Sequence, residues 1–270
     1  MFTILGHTGF VGRRLATALL SAGEDVFTPK RDLSDIDTRP LGHLIDCTGN
    51  DKVTADPFGV VDAHIGVLRR ALAAGNFDSY LYLSTTRIYQ SCESTGEETD
   101  IVVSRDDPQR LFIYSKLAGE ALCLNNQRAT IRVARLSNVY GVNPHSHNFL
   151  PTLIRNALTT GRITLSLDPS SAKDYVAVDD VVAALPEIAR RGRHRLYNVA
   201  SGVNTTAGEI VDRITAHTRA QALWQPGAPK IVSAAIDVTR LSSELPVRHG
   251  SILSDLPDLV EMTKRELGIR

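Results

Sequence analysis

Three observations predict a doubly wound, parallel α/β sheet. Short apolar runs alternate with amphipathic, helix-like runs through the first 141 residues of this 270-residue chain. A glycine-rich stretch, "GHTGFVG", separates the first strand-like run from the first helix-like run. After residue 141 the alternation gives way to a loop-rich stretch and resumes near 174, so a second, smaller lobe is expected.

The elements follow in order. "MFTILG" is short, apolar and closed by glycine, which reads as a buried strand. "VGRRLATALLSAG" places apolar residues at helical spacing and stops at Gly23. "DVFTP" and "HLIDCTG" read as the second and third strands. "PFGVVDAHIGVLRRALAAG" reads as a long amphipathic helix ending at Gly75. "SYLYLST" is rich in aromatic and branched residues, as strands are. "FIYSKLAGEALCLNN" is helical, and "ATIRVARLSNVYG" opens as another strand. Beyond these, "NFLPTLIRNALTTG" reads as a helix, "ITLSL" as a short strand and "VDDVVAALPEIARRG" as a helix capped by Asp179 or Asp180. "RLYNVA" is a strand, "TTAGEIVDRITAHT" a helix, and a last helix is expected near 255–267. The expected division is 1–141 plus 174–200 as the dinucleotide-binding domain, of Rossmann type, and 142–173 plus 201–270 as a small substrate-binding lobe.

Composition excludes several classes. Thirty basic and thirty acidic residues balance, so nothing draws the whole chain toward nucleic acid or an anionic membrane. Three widely spaced cysteines fit neither a disulfide framework nor a zinc site, and the eight histidines show no metal spacing. No apolar run approaches the roughly 20 residues a membrane helix needs. The opening shows no basic leader, so a cytoplasmic location is expected.

"GHTGFVG" carries the first chemistry. Glycine lets the backbone turn sharply and lets a pyrophosphate approach the start of a helix, where free N–H groups and the helix dipole favour an anion. Gly6, Thr8, Gly9, Phe10, Val11 and Gly12 are the candidate cofactor contacts. The end of the second strand separates NAD from NADP, because a carboxylate there binds the ribose 2′-OH whereas a basic residue accepts a 2′-phosphate. Lys30 and Arg31 stand there, with Asp32 the nearest acid. The alternatives are a solvated charged loop, or a 2′-phosphate site formed by Lys30, Arg31 and Arg13, which favours NADP over NAD.

Six segments in order, "GHTGFVG", "YLYLSTTRIY", "YSKLAGE", "RLSNVYG", "KDYVAVDDVVAAL" and "LYNVASG" with "TTAGEIVDRI", resemble the extended short-chain dehydrogenase/reductases, the NAD(P)-dependent nucleotide-sugar epimerases, dehydratases and ketoreductases. The resemblance implies that a tyrosine moves a proton to or from a sugar oxygen while hydride moves to or from nicotinamide. A lysine lowers the tyrosine pKa and holds the nicotinamide ribose. It also implies a strand-end hydroxyl on the same substrate oxygen. That residue is Thr85, with Thr86 beside it in the substrate site; the competing reading of Thr85 is an ordinary β-former.

The chain departs from this pattern at one position. In the resembled family the tyrosine precedes the lysine by four residues, which places both within about 40° on a helix. Lys116 matches the lysine, but Phe112 stands at the tyrosine position. Tyr114 is two residues from Lys116, roughly 200° around the helix, and could serve as the acid only in a distorted helix start; otherwise it packs on the other face. Three consequences stay open. Thr85, Tyr89 or a water supplies the proton, the reaction demands less of its proton transfer, or the protein binds its ligands without efficient turnover.

By the same resemblance, Asn138, Lys173, Tyr175 and, on its place in a basic tail alone, Arg248 are candidate contacts to a nucleoside-diphosphate sugar, each with packing or surface as the competing role. The expected activity is an NAD(P)-dependent oxidoreductase, epimerase or dehydratase of nucleotide sugars, most specifically a 4-keto sugar reductase. The alternative is a catalytically weak, cofactor-binding homologue with a regulatory or scaffolding role. The resemblance also implies a homodimer through the helices at 58–75 and 112–126.

Overall fold

The structure, a computed structural model, describes residues 1–247 and 250–269. Its elements run β1 (Phe2–Leu5), α1 (Phe10–Ser21), β2 (Val26–Phe27), β3 (His43–Asp46), α2 (Pro57–Val61), a π-helical turn (Asp62–Gly66), α3 (Val67–Ala74), β4 (Ser79–Thr85), a 3₁₀ turn (Thr86–Tyr89), α4 (Arg110–Leu124) and β5 (Ile131–Leu136). They continue with β6 (Asn138–Tyr140), α5 (Phe149–Thr160), β7 (Arg162–Leu165), β8 (Ala172–Ala177), α6 (Val178–Arg191), β9 (Leu196–Val199), β10 (Asn204–Thr206), α7 (Ala207–Thr218), β11 (Gln221–Trp224), α8 (Thr239–Glu244) and α9 (Ile252–Glu266). Among the described residues no helix is long and apolar enough to cross a membrane.

The chain forms two compact units. The first comprises Met1–Ser137, Asp179–Val199 and Asp237–Val247, and the second Asn138–Val178, Ala200–Ile236 and Arg248–Arg270. The first thus ends four residues before the boundary expected at 141, and it also takes Asp237–Val247, which the sequence placed with the small lobe. That segment is tied down by specific bonds. The Asn198 side-chain amide donates to the Asp237 carbonyl at 2.9 Å, the Asp237 N–H donates to the Thr95 hydroxyl at 2.9 Å, and the Tyr197 hydroxyl donates to Glu244 at 2.8 Å.

In the first unit six parallel strands order as β2-β1-β3-β4-β5-β9. Burial on both faces explains the continuous apolar runs: β1 and β5 are buried at every position. One core face gathers Leu44, Leu68, Tyr80, Tyr82, Ile131 and Val133. Helix α4 packs unusually close to β4, because a Cβ at Gly119 would overlap the Tyr82 hydroxyl. The sheet also buries charge. Glu120 on α4 and Arg135 on β5 are 3 % and 4 % exposed and pair at 2.6 Å. The Ser84 hydroxyl donates to the same carboxylate at 2.5 Å, and Arg135 donates to the Tyr89 hydroxyl at 2.6 Å.

In the second unit β10-β8-β6 and β11-β7 form two small sheets. Their core joins Leu150, Leu153 and Ile154 of α5 to Ile210 and Ile214 of α7 and to Leu256 and Val260 of α9. The capping box expected of a well-started helix is present on α7, where Thr206 and Glu209 satisfy each other's backbone. Asp179 and Asp180 lie inside the first turn of α6 and Asp179 pairs with Arg14 at 2.7 Å, so its charge serves an ion pair.

Removing Glu120 leaves a guanidinium buried without its counter-charge. Glu120→Ala is expected to cost about 3–5 kcal/mol in urea unfolding, against a small change for Glu187→Ala on an exposed helix pair.

Candidate functional site

The carboxyl ends of β1, β3 and β4 converge in the first unit. The connection from β1 leads outward to β2 and the next strand, β3, lies on the other side of β1. Their carboxyl ends therefore form the switch point where open α/β sheets bind ligands. Gly6 turns there with φ +68°, a conformation that L side chains rarely adopt, and a Cβ on it would lie 2.8 Å from the Cys47 carbonyl carbon. A Cβ on Gly12 would overlap the Gly6 carbonyl. The first and last glycines thus permit the loop itself. Gly9 is the N-cap of α1, with no side-chain cap and no acid in the first turn. The positive end of α1, at Phe10, Val11 and Gly12, is left uncompensated, which fits a pyrophosphate. Thr8 is exposed beside it.

Downstream of β2 the acids are turned inward on their own loop. The Asp32 carboxylate accepts from Ser34 N–H at 3.1 Å, and Asp35 accepts from Lys30 N–H at 3.0 Å. The Lys30 and Arg31 side chains remain exposed, as does Arg13.

Lys116 is the centre of the site. It is 5 % exposed, and its Nζ donates to the Leu83 carbonyl at 2.8 Å and reaches the Thr48 carbonyl at 3.5 Å. The Tyr82 ring centroid is 4.9 Å away. Burial pulls its pKa down to about 8. The loop that supplies Thr48 is held by Asp46, a fully buried carboxylate that accepts from Thr48 N–H at 3.0 Å, the Thr48 hydroxyl at 2.5 Å and the Tyr80 hydroxyl at 2.6 Å. Burial raises the Asp46 pKa.

Helix α4 is regular from Arg110, so the distorted start that Tyr114 would need is not found. Tyr114 is 50 % exposed, and the buried face carries Ile113, Ser115, Lys116, Gly119 and Glu120. Phe112, half-buried one turn before Lys116, sets its ring edge-on to His64 at 5.2 Å. His64 is fully buried in the π-helical turn. Its Nε2 accepts from Asn50 N–H at 3.3 Å and its Nδ1 lies 2.7 Å from the Ser115 hydroxyl, which donates to the Phe112 carbonyl at 2.9 Å. Those bonds require a neutral ring protonated on Nδ1.

Thr85 ends β4, and its hydroxyl oxygen accepts from Arg87 N–H at 3.1 Å, which leaves its own proton to donate. Thr86 is buried beside it. The Tyr89 hydroxyl is committed: it accepts from Arg135 and lies 3.0 Å from Asn198 Oδ1. Sequence reasoning missed Asp46, His64 and Ser115, each of which has a partner far along the chain; the one available signal was two polar residues, Asp46 and Thr48, closing an apolar strand.

In the second unit Asn138 spends its amide on the Asp174 carbonyl at 2.7 Å, joining β6 to β8. Lys173 lies opposite Thr205 in the β8–β10 ladder. Tyr175 is buried in the core cluster, and burial pushes its pKa up to about 12. Arg248 lies outside the described residues. Among the described residues no cluster of His, Cys, Asp or Glu could hold a metal ion.

Burial lowers the His64 pKa to about 3, whereas an unfolded histidine titrates near 6.5. Below pH 6.5 the unfolded chain takes a proton that the folded chain refuses, so this residue erodes stability as pH falls toward 3. Urea unfolding at pH 7 and pH 5 should show about 2 kcal/mol of loss from this source. His64→Gln should flatten that part of the slope.

The family profile described as "NAD dependent epimerase/dehydratase family" matches residues 2–65 and 55–200. A dTDP-glucose 4,6-dehydratase of Streptomyces griseus is 27% identical over 179 residues, covering 62% of this chain and 52% of that protein, so this chain spans about half the length of that relative. MoeE5 in complex with UDP-glucose and NAD superposes with TM-score 0.83 at 20% identity, over 98% of this chain and 99% of that one. RMD from Pseudomonas aeruginosa complexed with NADPH gives 0.79 at 19%, over 98% and 100%. At such identity these two structures share the fold. The profile match, taken with the glycine loop and the buried lysine, means that this chain belongs to the NAD-dependent epimerase/dehydratase family.

Proposed function

We propose that this protein is an NADP(H)-linked 4-keto reductase of a nucleoside-diphosphate sugar. One observation carries the reading: Lys116 is buried between the ends of β3 and β4, within the unit that presents the glycine loop and the Thr85 hydroxyl. When bound, the nicotinamide ring supplies hydride. Lys116 holds the nicotinamide ribose and favours negative charge on the substrate oxygen, and Thr85 donates a hydrogen bond to that oxygen. Lys30 and Arg31, exposed on the loop after β2 and in no side-chain ion pair among the described residues, receive the 2′-phosphate, which favours NADP(H) over NAD(H). The reaction takes place in the cytoplasm.

The proton route is atypical. Phe112 presents a ring with no hydroxyl, Tyr114 faces solvent, and the Tyr89 hydroxyl is bonded within the fold. The proton therefore comes from Thr85 or from a water it holds. Exposed Phe58 and Val61 on α2, with Tyr114 and Leu122 on α4, give an apolar face for a homodimer. Phe112 also favours a second reading, a homologue that binds cofactor and sugar nucleotide with weak turnover and a regulatory or scaffolding role.

Cofactor oxidation with a panel of dTDP- and UDP-linked 4-keto sugars separates the two. The reductase reading expects turnover in the native protein, faster with NADPH than with NADH. It also expects a gain of about 10²–10⁴ in kcat for Phe112→Tyr and no change for Tyr114→Phe. Ligand binding without turnover in the native protein supports the second reading. A collapse of activity in Tyr114→Phe contradicts the proton route.

A further inference from the structure

Arg87 stands in the 3₁₀ turn that follows β4, two residues after Thr85, and its backbone N–H is bonded to the Thr85 hydroxyl oxygen. Its side chain is part-buried, and Nε is shielded from solvent with no hydrogen-bond partner. Among the described residues none of its guanidinium nitrogens has a hydrogen-bond or ion-pair partner. Arg132 also has a shielded, unbonded Nε, yet its Nη1 bonds the Ala189 carbonyl at 3.1 Å, so that side chain is anchored.

Three carboxylates of the same unit are committed elsewhere. Glu120 pairs with Arg135, and Glu98 with Arg240 at 2.6 Å. Glu97 accepts from Asn198 N–H at 3.1 Å and faces Arg240 at 3.8 Å. A shielded donor left unbonded is costly, and a ligand that brings an acceptor removes that cost.

We propose that Arg87 reads a carboxylate on the sugar, so that the substrate is a nucleoside-diphosphate uronic acid or a similarly acidic sugar. This rests on the nucleotide-sugar reading above. The guanidinium fork matches a carboxylate with two parallel hydrogen bonds. Its place beside Thr85 selects the anion. Thr85 addresses the reacting oxygen on C4 of the ring. The carboxylate of a uronic acid hangs from C5, next to that carbon, whereas the diphosphate hangs from C1, across the ring.

Calorimetric titration tests this with UDP-glucuronate against UDP-glucose, and with the corresponding dTDP esters, each in the presence of NADP⁺. The native protein should bind the uronate at least about tenfold more tightly. The ratio of the two Kd values should fall toward one in Arg87→Met and recover in part in Arg87→Lys. Circular dichroism melts identify any variant that fails to fold, in which case Arg87→Gln takes the place of Arg87→Met. A native protein without preference overturns the proposal, as does an Arg87 variant that weakens both sugars by the same factor, the mark of a diphosphate contact. If NADP⁺ binds but neither sugar nucleotide does, the substrate reading falls and takes this inference with it. Binding of both sugars without discrimination refutes the inference alone.

Discussion

A buried ammonium organises this structure. Lys116 sits at 5 % exposure with two backbone carbonyls and the face of Tyr82 as neighbours, and among the described residues no carboxylate lies in ion-pair range of it. Water would solvate that charge far better, and burial accordingly pulls its pKa down to about 8. The surroundings are built to hold it there. Asp46 pins the loop that supplies the Thr48 carbonyl, and Gly119 lets α4 approach β4 closely enough for Nζ to reach Leu83. A perturbed lysine of this kind is more readily understood as machinery than as support, since a leucine would stabilise the same space without the desolvation cost.

The inner face of α4 carries Phe112, Lys116 and Glu120 at successive four-residue steps, and each does a different job. Phe112 closes the site with an apolar ring against His64, Lys116 charges it, and Glu120 anchors the helix to Arg135 and Ser84. Ser84 precedes Thr85, and Arg135 also holds Tyr89. The buried ion pair thus fixes both ends of the turn that presents Thr85 and Arg87. The proposed hydride transfer would need such rigidity, because reacting atoms must meet at near-contact distance.

Much of this was legible in the sequence. The alternation of apolar runs gave the parallel sheet, and the glycines gave the tight turn between β1 and α1, because both signals are local. Helical spacing alone separated Lys116 from Tyr114, though Tyr114 is half exposed rather than packed on the other face. The polar supports were not legible. His64 meets Ser115 across 51 residues, and Asp46 meets Tyr80 across 34. No periodicity encodes such pairs, and a histidine in an amphipathic helix reads as surface or core alike. Arg87 was passed over because an arginine after a strand looks like an ordinary solvated charge; it is set apart by a shielded Nε and a guanidinium without a partner among the described residues. The return of Asp237–Val247 to the first unit depends on side-chain bonds to Asn198 and Thr95 that a Pro- and Ser-rich tail does not announce.

The claim at the centre of this account is that the buried ammonium of Lys116 receives the nicotinamide ribose. Cofactor affinity of Lys116→Met, followed by the fluorescence of bound NADPH, tests it directly. The methionine fills the same volume without the charge, so the fold should hold or gain stability while the Kd rises about 10- to 100-fold, the loss of a charged hydrogen bond. Unchanged NADPH affinity in a folded Lys116→Met protein would contradict the account.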